Sequence, residues 1–159
     1  MITDELTGVY NRRGFLTMAE QQMKTARRLE KGVLLLSADL DNLKTINDTF
    51  GHKEGDSALI HAANVLKESF RESDIVGRIG GDEFVVFQMG STEDTSEKLT
   101  ERLQKNLDIH NAETGRKYKL SISAGIVRCD SDCTYSLDEL LTQADKLMYE
   151  RKMLKEHSS

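Results

Sequence analysis

Two periods of apolar residues alternate along the chain and lay out its elements. Phe15, Leu16, Ala19, Met23 and Ala26 share one face at helical spacing, which predicts a helix over 12–30, with Gly32 just past its end. Val33–Leu40 is a continuous apolar, partly β-branched run and reads as a buried strand. A short helix over about 42–50 stops at Gly51. A longer one over 55–70 turns Ala58, Leu59, Ala62, Val65, Leu66 and Phe70 inward. Residues 74–79 and 83–89 form a hairpin about Gly80-Gly81-Asp82. Leu99, Leu103 and Leu107 stack along a helix over 94–109. Residues 118–127 read as a strand, with Leu120, Ile122, Ala124 and Ile126 alternating inward. Ser136-Leu137-Asp138-Glu139 is a capping box opening a last helix to about 154.

Leaving out the terminal helices, the order is strand, helix, strand, strand, helix, strand. That is the split βαβ, or ferredoxin-like, order. The expected fold is α/β in the α+β sense: a mainly antiparallel central sheet flanked by helices, in one domain over 1–159. No repeat, linker or low-complexity tract interrupts it. This order sets the end of the first strand beside the hairpin turn on a neighbouring strand.

Charge narrows the function. Lys+Arg 22 against Asp+Glu 27 gives −5 over 159 residues, which argues against DNA, RNA or an anionic membrane as bulk partners. A local basic patch can still bind one phosphate group. The longest strongly apolar stretch, 33–38, is too short to span a bilayer, and the polar, acidic N-terminus is no signal peptide. Cys129 and Cys133 read as two free thiols in a reducing compartment, their C-x3-C spacing being a weak metal signal. The expected location is cytoplasmic. Proline is absent, which leaves the turns to Gly and Asx residues.

Four groups carry candidate chemistry. In Asp39-Leu40-Asp41 the two acids are expected on opposite faces, one toward a site and Asp41 away or capping the next helix. Asp39 follows an apolar run directly, where burial is costly unless a cation or donor compensates. Gly80-Gly81-Asp82-Glu83 is either a plain hairpin with polar tips or a turn whose glycines take positive φ and let a ligand approach the backbone. With Asp39 on an adjacent strand, these carboxylates suit Mg²⁺, which takes hard oxygen ligands and keeps waters and substrate phosphates. Lys44 near a helix start can reach phosphate, and Asn47 with Asp56 can read guanine; alone, each is ordinary turn or surface chemistry. Arg71-Glu72-Ser73-Asp74 by itself is a solvated ion pair. Neither a P-loop nor a G-x-G-x-x-G motif is present.

Together these motifs resemble the GGDEF family, the diguanylate cyclase domain, over roughly residues 3–152. Residues 4–13 (DELTGVYNRR) are similar to the family's opening D-x-L-T-G-L-x-N-R-R. Residues 39–56 are similar to D-x-D-x-F-K-x-I-N-D-x-x-G-H-x-x-G-D, and residues 78–84 (RIGGDEF) carry the naming motif. Ala144-Asp145, Met148-Tyr149 and Lys152 are similar to A-D-x-x-M-Y-x-x-K. The resemblance implies condensation of two GTP into cyclic di-GMP with release of two pyrophosphates, by two copies of the domain facing each other. It implies Asp39, Asp82 and the Leu40 carbonyl as ligands of Mg²⁺, with Mn²⁺ as a substitute. Glu83 becomes a supporting acid or the base, so that Asp39, Asp82, Glu83 and Lys44 form the catalytic set. Lys44 and Lys152 hold the β- and γ-phosphates, Asn47 and Asp56 read guanine, and Gly80 and Gly81 offer backbone N–H groups. The family's product-inhibition site is an R-x-x-D ending five residues before the GG; residues 75–79 are those five, so Arg71 and Asp74 would bind cyclic di-GMP.

The chain departs from the family in places. Asn42 and Leu43 replace aromatic residues, and Glu156 stands where an Arg usually follows Lys152, with Arg151 as a candidate replacement. The pattern starts almost at Met1, so the expected chain is a module without a sensor domain. These departures keep a second expectation open: a non-catalytic receptor for GTP or cyclic di-GMP.

Overall fold

The computed structural model describes residues 1–90, 95–113 and 115–157. Nine elements follow in order: α1 (Arg12–Arg28), β1 (Val33–Leu40), α2 (Leu43–Phe50), α3 (His52–Ser69), β2 (Ile75–Arg78), β3 (Glu83–Met89), α4 (Ser96–Asn111), β4 (Ile122–Cys129) and α5 (Leu137–His157). The four strands form one sheet in the order β2-β3-β1-β4, every pairing antiparallel. This is the expected ferredoxin-like arrangement.

β1 is central and covered on both faces, which is why its sequence is apolar without alternation. Leu34, Leu36, Ala38 and Leu40 pack with Leu59, Leu66 and Leu103 from α3 and α4. Val33 and Leu35 pack with Phe15 and Met23 of α1 and with Leu140 and Ala144 of α5. The two-residue period of a strand therefore gives even positions one layer and odd positions the other.

Local chemistry fixes the helix starts. Asn11 caps α1 by accepting from Gly14 N at 2.8 Å. The capping box of α5 is formed: Glu139 N donates to Ser136 Oγ at 3.1 Å, and Ser136 N to Glu139 Oε1 at 3.2 Å. Thr95 caps α4 through Lys98 N at 3.1 Å, so that helix opens at Ser96 rather than 94, a position outside the described residues. Between α2 and α3 stands only Gly51, at φ +95, and α3 begins three residues earlier than its apolar stripe indicated.

β4 is displaced from its expected span, starting at Ile122 and ending at Cys129. Asn111 explains the late start: its side chain bonds the Leu120 N–H and carbonyl, both at 2.8 Å, in place of a sheet partner. The face of Leu120, Ile122, Ala124 and Ile126 is nevertheless the one read from the pattern. On the opposite face Gly125 lies under α5, where a Cβ would fall 2.3 Å from the Ala144 carbonyl oxygen. Cys129 and Cys133 are joined as a disulfide, which corrects the expectation of free thiols. The end of β4 and the loop before α5 bring their Cα atoms to 5.3 Å, within disulfide reach.

The N-terminal residues run along the open edge of β2. Tyr10 N donates to the Val76 carbonyl at 3.1 Å, and Arg78 N donates to the Tyr10 carbonyl at 2.8 Å. Among the described residues no helix is long and apolar enough to cross a membrane.

Candidate active site

β1 and β3 bring the two acidic motifs side by side. Asp39 stands opposite Glu83 in the ladder, and Leu40 N donates to the Asp82 carbonyl at 3.0 Å. An antiparallel residue sends its N–H and its carbonyl toward the same neighbour, so the Leu40 carbonyl faces the Asp82 side. α5 supplies the cation: Lys152 Nζ donates to Asp39 Oδ2 at 3.2 Å, with both side chains about four-fifths buried (22% and 17% exposed).

The two acids of the first motif do not point apart. Asp39 and Asp41 both turn toward α5, as positions two apart in an extended chain must. Nor does Asp41 cap α2; Asn42 takes the cap position at φ 62 without a side-chain bond. Asp41 is instead buried, accepting from Ser121 Oγ at 2.7 Å, Ser123 Oγ at 2.8 Å and Lys155 Nζ at 2.9 Å. It ties β1, β4 and the last turns of α5 together.

Charge in the site is one-sided. Burial and the Asp82 charge raise the Asp39 carboxyl above its ordinary range, with Lys152 opposing. Glu83 is pushed up to about 7 by burial, by a hydrogen bond with Asp145 and by the charges of Asp145 and Asp39; a bond from Ser37 Oγ at 3.4 Å opposes the rise. Lys152 loses some basicity to burial, but Asp39, Asp41 and Asp82 outweigh this and raise it. Two causes combine: burial raises Asp39 and Glu83, and the crowding of neighbouring carboxylates raises them further while raising Lys152 against its own burial. Among the described residues no three His, Cys, Asp or Glu side chains are gathered into a ready metal cage. The donor set that is present, two carboxylates beside a backbone carbonyl, matches what Mg²⁺ takes from a protein when phosphates and waters complete its shell.

The remaining candidates lie around this centre. Gly80 and Gly81 are exposed at the turn, and neither has positive φ, which corrects that expectation; positive φ falls at Gly8, Gly51, Gly90 and Gly115. A Cβ on Gly81 would meet nothing within 4 Å. The turn is held from below by Arg78, whose Nη2 donates to the Gly81 carbonyl at 2.8 Å while its Nη1 pairs with Asp4 at 3.2 Å. Thr7 hydrogen bonds and Arg78 hold the Asp4 carboxyl below its ordinary range against burial, which pushes it up. The N-terminal motif thus braces the hairpin turn.

Asn47 on α2 folds against Gly55 of α3, where a Cβ would lie 1.7 Å from Asn47 Oδ1; only glycine allows that approach. Asp56 is exposed on α3, one residue along. Lys44 stands exposed on the first turn of α2, and no hydrogen bond or ion pair joins it to the acids among the described residues. Arg71 and Asp74 lie apart from this group, beside a cleft of about 510 Å³ that Tyr10 and Lys67 also line. Asp74 is almost wholly buried, accepting from Arg71 N at 2.8 Å and Gln88 Nε2 at 2.9 Å, whereas Arg71 is 53% exposed.

Sequence reasoning gave no role to Asp145, Ser37 or Lys155. Asp145 precedes Lys152 by two helical turns, so the period that placed α5 also puts both on the face toward Asp39.

Comparison with known proteins agrees with this geometry. The family described as "Diguanylate cyclase, GGDEF domain" matches residues 1–158. The chain is 34% identical over 149 residues to the probable diguanylate cyclase DgcC of Escherichia coli (strain K12), covering 94% of this chain and 40% of that protein. The chain therefore spans less than half of that relative. Diguanylate cyclase SiaD of Pseudomonas aeruginosa, solved with its activator SiaC, superposes with a TM-score of 0.84 at 26% identity, covering 96% of this chain and 58% of that one. A microbial GGDEF domain solved for its interaction with cyclic di-GMP superposes with a TM-score of 0.78 at 32% identity, covering 96% and 93%. With its acidic turn set against the end of β1 and its match running almost from end to end, this chain belongs to the GGDEF domain family of diguanylate cyclases.

Proposed function

We propose that the domain condenses two molecules of GTP into cyclic di-GMP, each of two facing copies presenting one GTP. The observation that carries this reading is the meeting of Asp39, Asp82 and Glu83 at the junction of β1 and β3, Asp39 standing opposite Glu83 and paired with Lys152. In each half-reaction the 3′-oxygen of one GTP bonds to the α-phosphorus of the other. The bond from that phosphorus to the bridging oxygen breaks, and pyrophosphate leaves with the electron pair. Two such steps close the ring.

Asp39, Asp82 and the Leu40 carbonyl are the groups that would hold Mg²⁺. When bound, Mg²⁺ supplies positive charge against the phosphate oxygens and the departing pyrophosphate. Glu83 is pushed up to about 7, so near neutrality a substantial fraction is carboxylate, and that ionised form accepts the 3′-hydroxyl proton. Lys152 is fixed at the site and Lys44 reaches in from solvent; both serve the β- and γ-phosphates. Asn47 and Asp56 read the guanine edge, Asn47 from a position set by Gly55. Gly80 and Gly81 leave the turn's backbone open to the phosphates. Arg71 binds a phosphate or guanine edge of the product as an inhibitory contact, with Asp74 aiming it and available to guanine once those bonds are exchanged.

The test is cyclic di-GMP formation from GTP and Mg²⁺, followed by mass spectrometry on the domain fused to a constitutive coiled-coil dimer. Product establishes the cyclase. Bound GTP or cyclic di-GMP without product establishes the receptor reading, for which Glu156 beside Lys152 and Lys155 gives a reason: a carboxylate at the mouth of the phosphate region.

A further inference from the structure

Behind the junction of α2 and α3 lies a cluster of charged groups that the proposed chemistry does not use. Arg116, in the segment between α4 and β4, places Nη1 3.2 Å from His61 Nε2 on α3 and Nη2 3.3 Å from His110 Nδ1 on α4. It also pairs with Glu113. The two imidazole centroids are 4.6 Å apart. A guanidinium only donates, so each ring nitrogen facing it is a lone-pair acceptor. Burial and the Arg116 charge both hold the two histidines below their ordinary range, and so neutral. Arg116 Nε is buried and finds no acceptor among the described residues. His61, His110 and Glu113 therefore set where the guanidinium sits.

The segment that Arg116 anchors reaches the junction. Tyr118 Oη donates to the Glu54 carbonyl at 3.0 Å, and its ring lies 5.6 Å from that of Phe50, the last residue of α2. Lys117 pairs with Glu54 at 3.5 Å. Glu54 immediately precedes Gly55, against which Asn47 folds, and then Asp56.

We propose that Arg116, seated between His61 and His110, is a positioning residue for guanine recognition: through Tyr118 and Lys117 it braces the junction carrying Asn47 and Asp56, and acidification releases that brace. The proposal rests on the assignment of guanine to those two residues. The groups facing the imidazoles are Glu54 from α3, Glu113 and Arg116 from the segment, and each ring from the other's helix. Protonating either ring turns an acceptor into a donor beside a cation. Glu113, the nearest counter-charge, is already paired with Arg116.

The experiment measures binding of a non-hydrolysable GTP analogue with Mg²⁺ between about pH 5.5 and about pH 8. The wild-type protein should weaken about fivefold or more on acidification beyond the loss seen in His61→Gln/His110→Asn. In that double variant each amide oxygen replaces a ring acceptor without titrating, and Glu83 titrates alike in both proteins. Arg116→Met should lose several-fold in affinity at neutral pH. A double variant with the wild-type pH profile overturns the proposal; should Arg116→Met fail to fold, this comparison decides alone. If Asp56→Ala binds as the wild type does, the guanine assignment itself fails. Amide exchange over 47–56 then decides bracing: lost protection in Arg116→Met supports it, and unchanged protection overturns it.

Discussion

Lys152 Nζ lies 3.2 Å from Asp39 Oδ2, joining the last helix to the end of the first strand across 113 residues of sequence. Lys152 is the cation paired with Asp39, and the Asp39 and Glu83 carboxyls are raised despite its presence. A site so poised gains from further cations, which is the electrostatic requirement for the one triphosphate that the proposed reaction gives each copy.

Asp82→Ala removes one of the carboxylates proposed to hold Mg²⁺, at a partly exposed turn where the backbone, not the side chain, pairs with Leu40. The variant should fold with a melting temperature close to wild type and lose cyclic di-GMP formation by about 100-fold or more, on the scale of other electrostatic deletions. Mass spectrometry of the product and circular dichroism of the same sample check both halves.

Glu83 makes stability depend on pH. Its carboxyl is pushed up to about 7 from an ordinary value of 4.5, so the folded state holds the proton more tightly than the unfolded one. The contribution is full below the unfolded value and is lost as pH rises through the folded one. Urea midpoints without Mg²⁺ should fall between about pH 5 and about pH 8, by about 1 kcal/mol after screening of a half-exposed group. Glu83→Gln should flatten that slope, and Mg²⁺ should raise the wild-type midpoint at the alkaline end but not that of Asp82→Ala.

Lys155→Met strips the ammonium from buried Asp41, leaving the carboxylate with Ser121 and Ser123. Because Lys155 is itself half exposed and the two serines remain, losing the pair should cost about 1–2 kcal/mol. The last turns of α5 then lose their mooring one turn beyond Lys152, so turnover should fall as well. Denaturant titration and initial rates test the two effects, and a stable, fully active variant contradicts the mooring role.

Arg71→Ala tests the proposed inhibitory contact. Asp74 keeps the Arg71 N–H and Gln88, so the fold has no reason to change. Inhibition by added cyclic di-GMP should weaken at least tenfold while the initial rate stays at the wild-type level; Asp74→Ala is a poorer probe, because it also unpairs buried Gln88.

Much of this was legible in the sequence because few physical rules decide it. The buried run of β1, the helix stripes and the capping box follow from period and chain-end chemistry, and motif spacing located the acidic turn. Two misreadings are local, the opposite-face placing of Asp39 and Asp41 against the strand's own period and the positive φ at Gly80 and Gly81; the others involve contacts made elsewhere in the chain. Asp41 reads locally as a cap, and only the arrival of β4 serines and an α5 lysine makes it a buried tether. The late start of β4 depends on Asn111, a helix-end residue whose partners lie nine positions away. The Cys129–Cys133 pairing depends on where one loop returns.

The N-terminal segment alongside β2 carries a practical consequence for anyone trimming this domain. With Tyr10 removed, the bonds it makes to Val76 and Arg78 are left as an open row of donors and acceptors on an outer strand. Such a row recruits another copy by edge pairing. A shortened domain would then self-associate through that strand edge, and sizing experiments would score as the proposed face-to-face pairing a contact made through a different surface.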